Sequence, residues 1–103
     1  MADGDWRCFR EMREQARTRF SDQTLATTLK IVMDESCSTA EREIALEALM
    51  KRRERERRAL FEDFNRAHLP LMLHVMLEQG LVEREELTGL SLELRRILGL
   101  LDR

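Results

Sequence analysis

Once a helix starts at Ser38, nothing in the sequence stops it until Pro70. Ser38 and Glu41 form an S-x-x-E capping box, in which each side chain satisfies a backbone N–H at the helix start. Proline disfavours helical geometry in the residue before it, which places the end near His68. About 30 residues at about 1.5 Å each make a helix of roughly 45 Å. A compact domain of this chain's length has a diameter of roughly 33 Å. A straight helix over about residues 38–68 therefore overhangs its own domain. It has to bend, project into solvent or pair with another chain.

The rest of the chain also favours helix. One proline and four glycines leave few places to turn, tyrosine is absent, and β-branched residues are sparse outside residues 24–32. Hydrophobic residues make up 43% of the 103, enough for one core and one domain but not two. The expectation is a single all-α domain over residues 1–103, a small four- to five-helix bundle with the long central helix over about residues 38–68.

Asp3 or Asp5 can cap a first helix that runs to about Phe20, with Trp6, Phe9, Ala16 and Phe20 on one stripe. Ser21 or Asp22 then restarts a second helix. In it Leu25, Leu29, Val32 and Met33 read as a buried face, and Thr24, Thr27 and Thr28 look outward. Residues 34–39 form a loop before the long helix. Pro70 opens the apolar segment LPLMLHVMLEQ, which Gly80 terminates. Val82 and Leu87 are spaced as a hydrophobic staple for a last helix starting near Glu83. Leu87, Leu90, Leu94, Ile97, Leu98 and Leu101 form its stripe, with Gly89 a point of interruption.

Charge is unevenly spread. The net charge is −2, yet residues 51–68 hold seven basic and four acidic side chains. The core of this band is KRRERERR, residues 51–58. With Leu46 at zero on a helical wheel, Leu49, Met50, Leu60, Phe61 and Phe64 fall within about 60°, and Arg53 and Arg57 within about 20°. Two arginines thus occupy an apolar stripe for two turns. Most other charges pair at i,i+4: Glu47–Lys51, Arg52–Glu56, Glu54–Arg58 and Arg58–Glu62.

Three readings of Arg53 and Arg57 compete. Their stems can cover apolar surface while the guanidinium groups reach water or nearby carboxylates. A partner protein, or a second copy of this chain, can supply carboxylates to them. Or, with Arg52, Arg55 and Arg58, they can contact phosphates of nucleic acid. Glu54 and Glu56 repel the backbone that the arginines would attract, and no aromatic residue interleaves the run to stack on bases.

Other candidates have plain readings. His74 is the one strongly polar side chain in LMLHVML and reads as a hydrogen-bonded core histidine. His68 and His74 do not share a helix face, and no C-x-x-C or H-x-x-x-H supports a metal. Cys8 reads as packed and Cys37 as a loop cysteine. Met33, Met50, Met72 and Met76 read as core filling. Trp6 and Phe9 become an exposed aromatic patch suited to a partner if the first helix docks loosely.

No Gly-rich phosphate loop, G-x-S-x-G elbow or paired-carboxylate motif is present. The N-terminal residues MADGDWRC lack the basic and apolar regions of a signal peptide. The most apolar run, residues 69–77, is far shorter than the about 20 residues of a membrane span. The expected protein is cytoplasmic and non-enzymatic, without cofactor or metal: an adaptor, inhibitor or regulatory subunit. Its partner-binding residues would be Arg52, Arg53, Arg55, Arg57 and Arg58 with Trp6 and Phe9. Homodimerisation along the long helix is a corollary, and nucleic-acid binding through the basic run is the alternative.

Overall fold

Neither glycine nor proline occurs between Gly4 and Pro70, and the described backbone over that stretch is helical with few interruptions. The computed structural model describes residues 3–62 and 65–101. It contains four α-helices, α1 (Asp3–Val32), α2 (Thr39–Arg57), α3 (Leu69–Glu78) and α4 (Leu92–Leu101). A π-helical turn (Arg58–Glu62) and two 3-10 segments (Arg66–His68 and Arg84–Gly89) complete the order. Of the described residues 85% are helical and none is in a strand, so the all-α class read from the sequence holds.

The long helix is not the one expected. The 30-residue element is α1, about 45 Å at 1.5 Å per residue, and it passes Ser21 and Asp22 without a break. Its threonines do not compete with it. Thr24 donates to the Phe20 carbonyl (3.0 Å) and Thr28 to the Thr24 carbonyl (2.8 Å), so both hydroxyls are satisfied inside the helix. The expected helix over 38–68 starts as foreseen: Glu41 N donates to Ser38 Oγ (3.1 Å) and Ser38 N to Glu41 Oε1 (2.9 Å). It does not reach His68. It widens into the π turn, within which Leu60 and Phe61 are buried. Asn65 then caps the next short segment by accepting from Ala67 N at 2.9 Å, which ends helical continuation. Phe64 of the expected stripe lies outside the described residues.

The described residues group into two compact units, the first holding residues 3–19 and 65–101, the second residues 20–62. In the first unit Phe9, Met12 and Ala16 of α1 are buried, as are Leu69, Leu73 and Met76 of α3 and Leu94 and Leu98 of α4. The α3 terminus is a Schellman motif. Gly80 has φ 71°, Leu81 N donates to the Met76 carbonyl (2.8 Å) and Gly80 N to the Leu77 carbonyl (3.1 Å).

The last expected helix is split. Val82 and Leu87 are buried as the staple requires, but residues 84–89 form a 3-10 segment and Leu90 is extended. Ser91 starts α4 afresh, its Oγ accepting from Leu94 N at 3.2 Å. Asp5 fixes that start from 86 positions away. Its carboxylate accepts from Ser91 N and Ser91 Oγ, both at 2.6 Å, while only 3% exposed. Of the last stripe Leu87, Leu90, Leu94 and Leu98 are buried and Ile97 is exposed.

The second unit is an α-hairpin: residues 20–32 of α1, a turn, then α2 and the π turn. Asp34 closes the turn by accepting from Ser36 N (3.1 Å) and Ser36 Oγ (2.5 Å). Arg42 donates to the Val32 carbonyl at 2.7 Å, satisfying a helix C-terminal acceptor. Phe20 and Phe61 meet edge to face at 5.6 Å.

Candidate interaction surface

Arg53 decides which face of α1 meets α2. Its Nε donates to Thr24 Oγ1 (2.7 Å), Nη2 to the Phe20 carbonyl (2.8 Å) and Nη1 to Glu56 Oε2 (3.1 Å). The guanidinium also lies 3.5 Å from the centre of the Phe20 ring. The side chain is only 13% exposed. A cation this buried needs acceptors, and α1 supplies them from Thr24 and from the Phe20 carbonyl. The polar threonine face of α1 therefore turns inward.

The consequence overturns an expectation. Leu25, Leu29, Val32 and Met33 are 68%, 62%, 46% and 65% exposed, whereas Thr24, Thr27 and Thr28 are half-buried. The face read as buried is the surface, and the threonine face is packed. Met50 of α2 is also exposed and shares with Leu25 a shallow groove of about 300 Å³, lined further by Phe20, Ser21, Thr24 and Arg53. Met33 and Met50, read as core filling, are thus on the surface. Contiguous exposed apolar side chains rimmed by charge mark interaction sites.

Comparison with known protein families, curated proteins and solved structures finds no match. The functional reading of this chain rests on its own chemistry.

The basic run is largely matched to its own carboxylates. Arg57 grips Glu54 through Nε (3.2 Å) and Nη2 (2.7 Å) and donates to Glu62 from Nη1 (2.5 Å). Arg58 donates to the same Glu54 at 3.1 Å, Arg52 lies 3.6 Å from Glu56, and Lys51 lies 3.1 Å from Glu47. The bonds from Arg57, with its charge, hold the Glu54 carboxyl below the ordinary glutamate range, and Glu54 and Glu62 in turn push the Arg57 pKa up. Arg55 is exposed and meets no carboxylate among the described residues. Of the five arginines read as partner-binding, Arg53 is committed to the hairpin interior, and Arg52, Arg55 and Arg58 stand on the surface.

The N-terminal aromatic pair is not an exposed patch. Phe9 is fully buried; Trp6 is half-buried, stacks on Phe9 at 6.2 Å and carries the Arg66 guanidinium 5.3 Å from its ring centre. Helix α1 docks closely there because Phe9, Met12 and Ala16 fall on one stripe. His74 is half-buried, its Nε2 3.3 Å from Glu78 Oε1, and His68 is exposed.

The cleft bordered by Cys8, Glu11, Met12, Gln15, Arg19 and Glu86 is open, and burial pushes the Cys8 thiol up, away from the reactive thiolate. Arg19 spans it, donating to Glu86 Oε1 (2.5 Å) and the Leu81 carbonyl (2.9 Å). Among the described residues no group of three or more His, Cys, Asp or Glu side chains converges as metal ligands would, and no helix is long and apolar enough to cross a membrane.

Two features escaped the sequence reading. The outward leucine flank has no local signature, because it depends on an arginine far along the chain. The buried Asp5–Ser91 link joins residues near opposite ends of the sequence, and no local pattern pairs them.

Proposed function

We propose that this chain is a non-enzymatic protein-interaction module, an adaptor, inhibitor or regulatory subunit, that binds through the apolar flank of its α-hairpin. The carrying observation is the inversion of residues 20–33: leucines, valine and methionine outward, threonines inward. Fully burying one such side chain contributes about 1.5–3 kcal/mol, so a partner covering several of them gains a substantial hydrophobic term. Arg57, Glu54 and Glu62 at the rim form a charged border that excludes mismatched surfaces more than it adds affinity.

The test uses an apolar fluorescent dye at low protein concentration. The wild-type chain should enhance its emission, and Leu25→Glu/Leu29→Glu should abolish most of that enhancement while the circular dichroism stays helical. Equal enhancement by both proteins would remove the flank as a docking surface.

A second reading draws on exposed Arg52, Arg55 and Arg58, with Arg55 unmatched by a carboxylate among the described residues. A phosphate-binding helix should show affinity for duplex DNA or single-stranded RNA that falls by orders of magnitude between about 50 and about 200 mM salt. Anisotropy titrations with and without Arg55→Glu decide it. Tight, salt-sensitive binding lost in that variant would favour nucleic acid over a protein partner.

A further inference from the structure

The flank needs an occupant, and the hairpin's own charge pattern points to one. The first half of α2 is net acidic, with Glu41, Glu43 and Glu47 against Arg42, and the second half is net basic, with Lys51, Arg52, Arg53, Arg55 and Arg57 against Glu54 and Glu56. Two such helices laid antiparallel set acidic half against basic half; laid parallel, they set like against like, which is unfavourable.

We infer that the occupant is a second copy of this chain, its hairpin packed antiparallel across a two-fold axis. The inference rests on the docking role of the flank argued above. A two-helix hairpin has one helix–helix interface and leaves its flanks uncovered, and two hairpins packed flank to flank make a four-helix bundle in which both flanks are interior. A two-fold interface must be self-complementary, and the stripe meets that condition. With Leu29 near the axis, Leu25 of one copy meets Met33 of the other.

The register then follows from contacts within one hairpin. Thr24 sits beside Arg53, and Val32 beside Arg42, so the level of Leu29 lies near Glu47 of α2. The two-fold therefore sets Glu43 opposite Lys51 of the second copy. About half of residues 20–62 face one side, on the order of 20, close to the roughly 20–30 residues a side of a stable interface.

Sedimentation equilibrium and light scattering on the full chain, over a wide concentration range, test the assembly. A dimer is expected, with Leu25→Glu/Leu29→Glu raising its dissociation constant by about two orders of magnitude or more, as loss of central anchors does. The milder Leu29→Gln, checked for helicity, guards against a misfolded double variant. Orientation is read from spin labels on Cys37 in a Cys8→Ala background. Antiparallel hairpins place the two Cys37 labels roughly 24 Å apart at about 1.5 Å per residue, and parallel hairpins bring them within about 15 Å.

A chain that stays monomeric at high concentration while its flank still binds the dye overturns the second copy and leaves the docking role intact. A monomer whose flank binds no dye overturns both. A dimer indifferent to the leucine variants, or one with adjacent Cys37 labels, also overturns the proposal.

Discussion

Arg53 and Arg57 stand one helical turn apart in the same run, and their surroundings separate them. Arg53 is enclosed and its donors are spent on Thr24, Phe20 and Glu56. Arg57 is more exposed and paired with glutamates on its own helix and the following π turn. Removing Arg53 leaves the Thr24 hydroxyl and the Phe20 carbonyl without that donor, so Arg53→Ala should cost about 2–3 kcal/mol of stability. Arg57→Ala should cost at most about 1 kcal/mol, because exposed ion pairs are weak. Urea unfolding of the two variants checks the ranking, and equal losses would contradict it. On the sequence both arginines fall on one helical stripe; the structure encloses Arg53 and leaves Arg57 36% exposed among glutamates. The sequence could not tell which would be enclosed, because that depends on Thr24 and Phe20, 29 and 33 positions away.

At the scale of the element, what the sequence revealed was what is local. The Ser38–Glu41 box, Pro70 at the start of α3 and Gly80 at its end each act within a few residues, and each is found where the spacing placed it. Gly80→Ala forces a Cβ into left-handed backbone and should destabilise the first unit by about 1 kcal/mol, measurable as a lowered thermal midpoint. The unbroken α1 and the π turn after α2 were not legible. Ser21 and Asp22 are good caps, but a helix continues through them when nothing else stops it. The π turn is set by the burial of Leu60 and Phe61 rather than by a motif.

The α2 hairpin also carries a pH dependence. The Ser38 backbone N–H holds Glu41 below its usual range, Arg57 does so for Glu54, and the Ser36 hydroxyl does so for Asp34. Depressed carboxyls add stability above their unfolded values and lose it as pH falls through the folded ones. The hairpin should therefore loosen below the ordinary 4.5 of glutamate and 3.8 of aspartate. Hydrogen exchange over residues 34–58 between neutral and acid pH should show that loosening, and exchange independent of pH-corrected conditions would contradict it.

Across the whole molecule, composition and pattern were enough for an all-α chain, and the buried stripe of α1 through Phe9, Met12, Ala16 and Phe20 matches its periodicity. The same periodicity misled at residues 25–33. An apolar stripe at helical spacing says that a face wants cover, not which neighbour covers it. Here the hairpin uses its threonine face for itself and leaves the leucine face outward, and the proposed interaction role follows from that choice.

The direct test is the stability of Leu25→Ala and Leu29→Ala, measured by urea unfolding at sub-micromolar concentration, where association is suppressed. An outward flank predicts losses below about 0.5 kcal/mol per site, as for other surface substitutions. Losses of about 2–5 kcal/mol, those of buried leucines, would place the stripe in the chain's own core and remove the surface on which the proposed function rests.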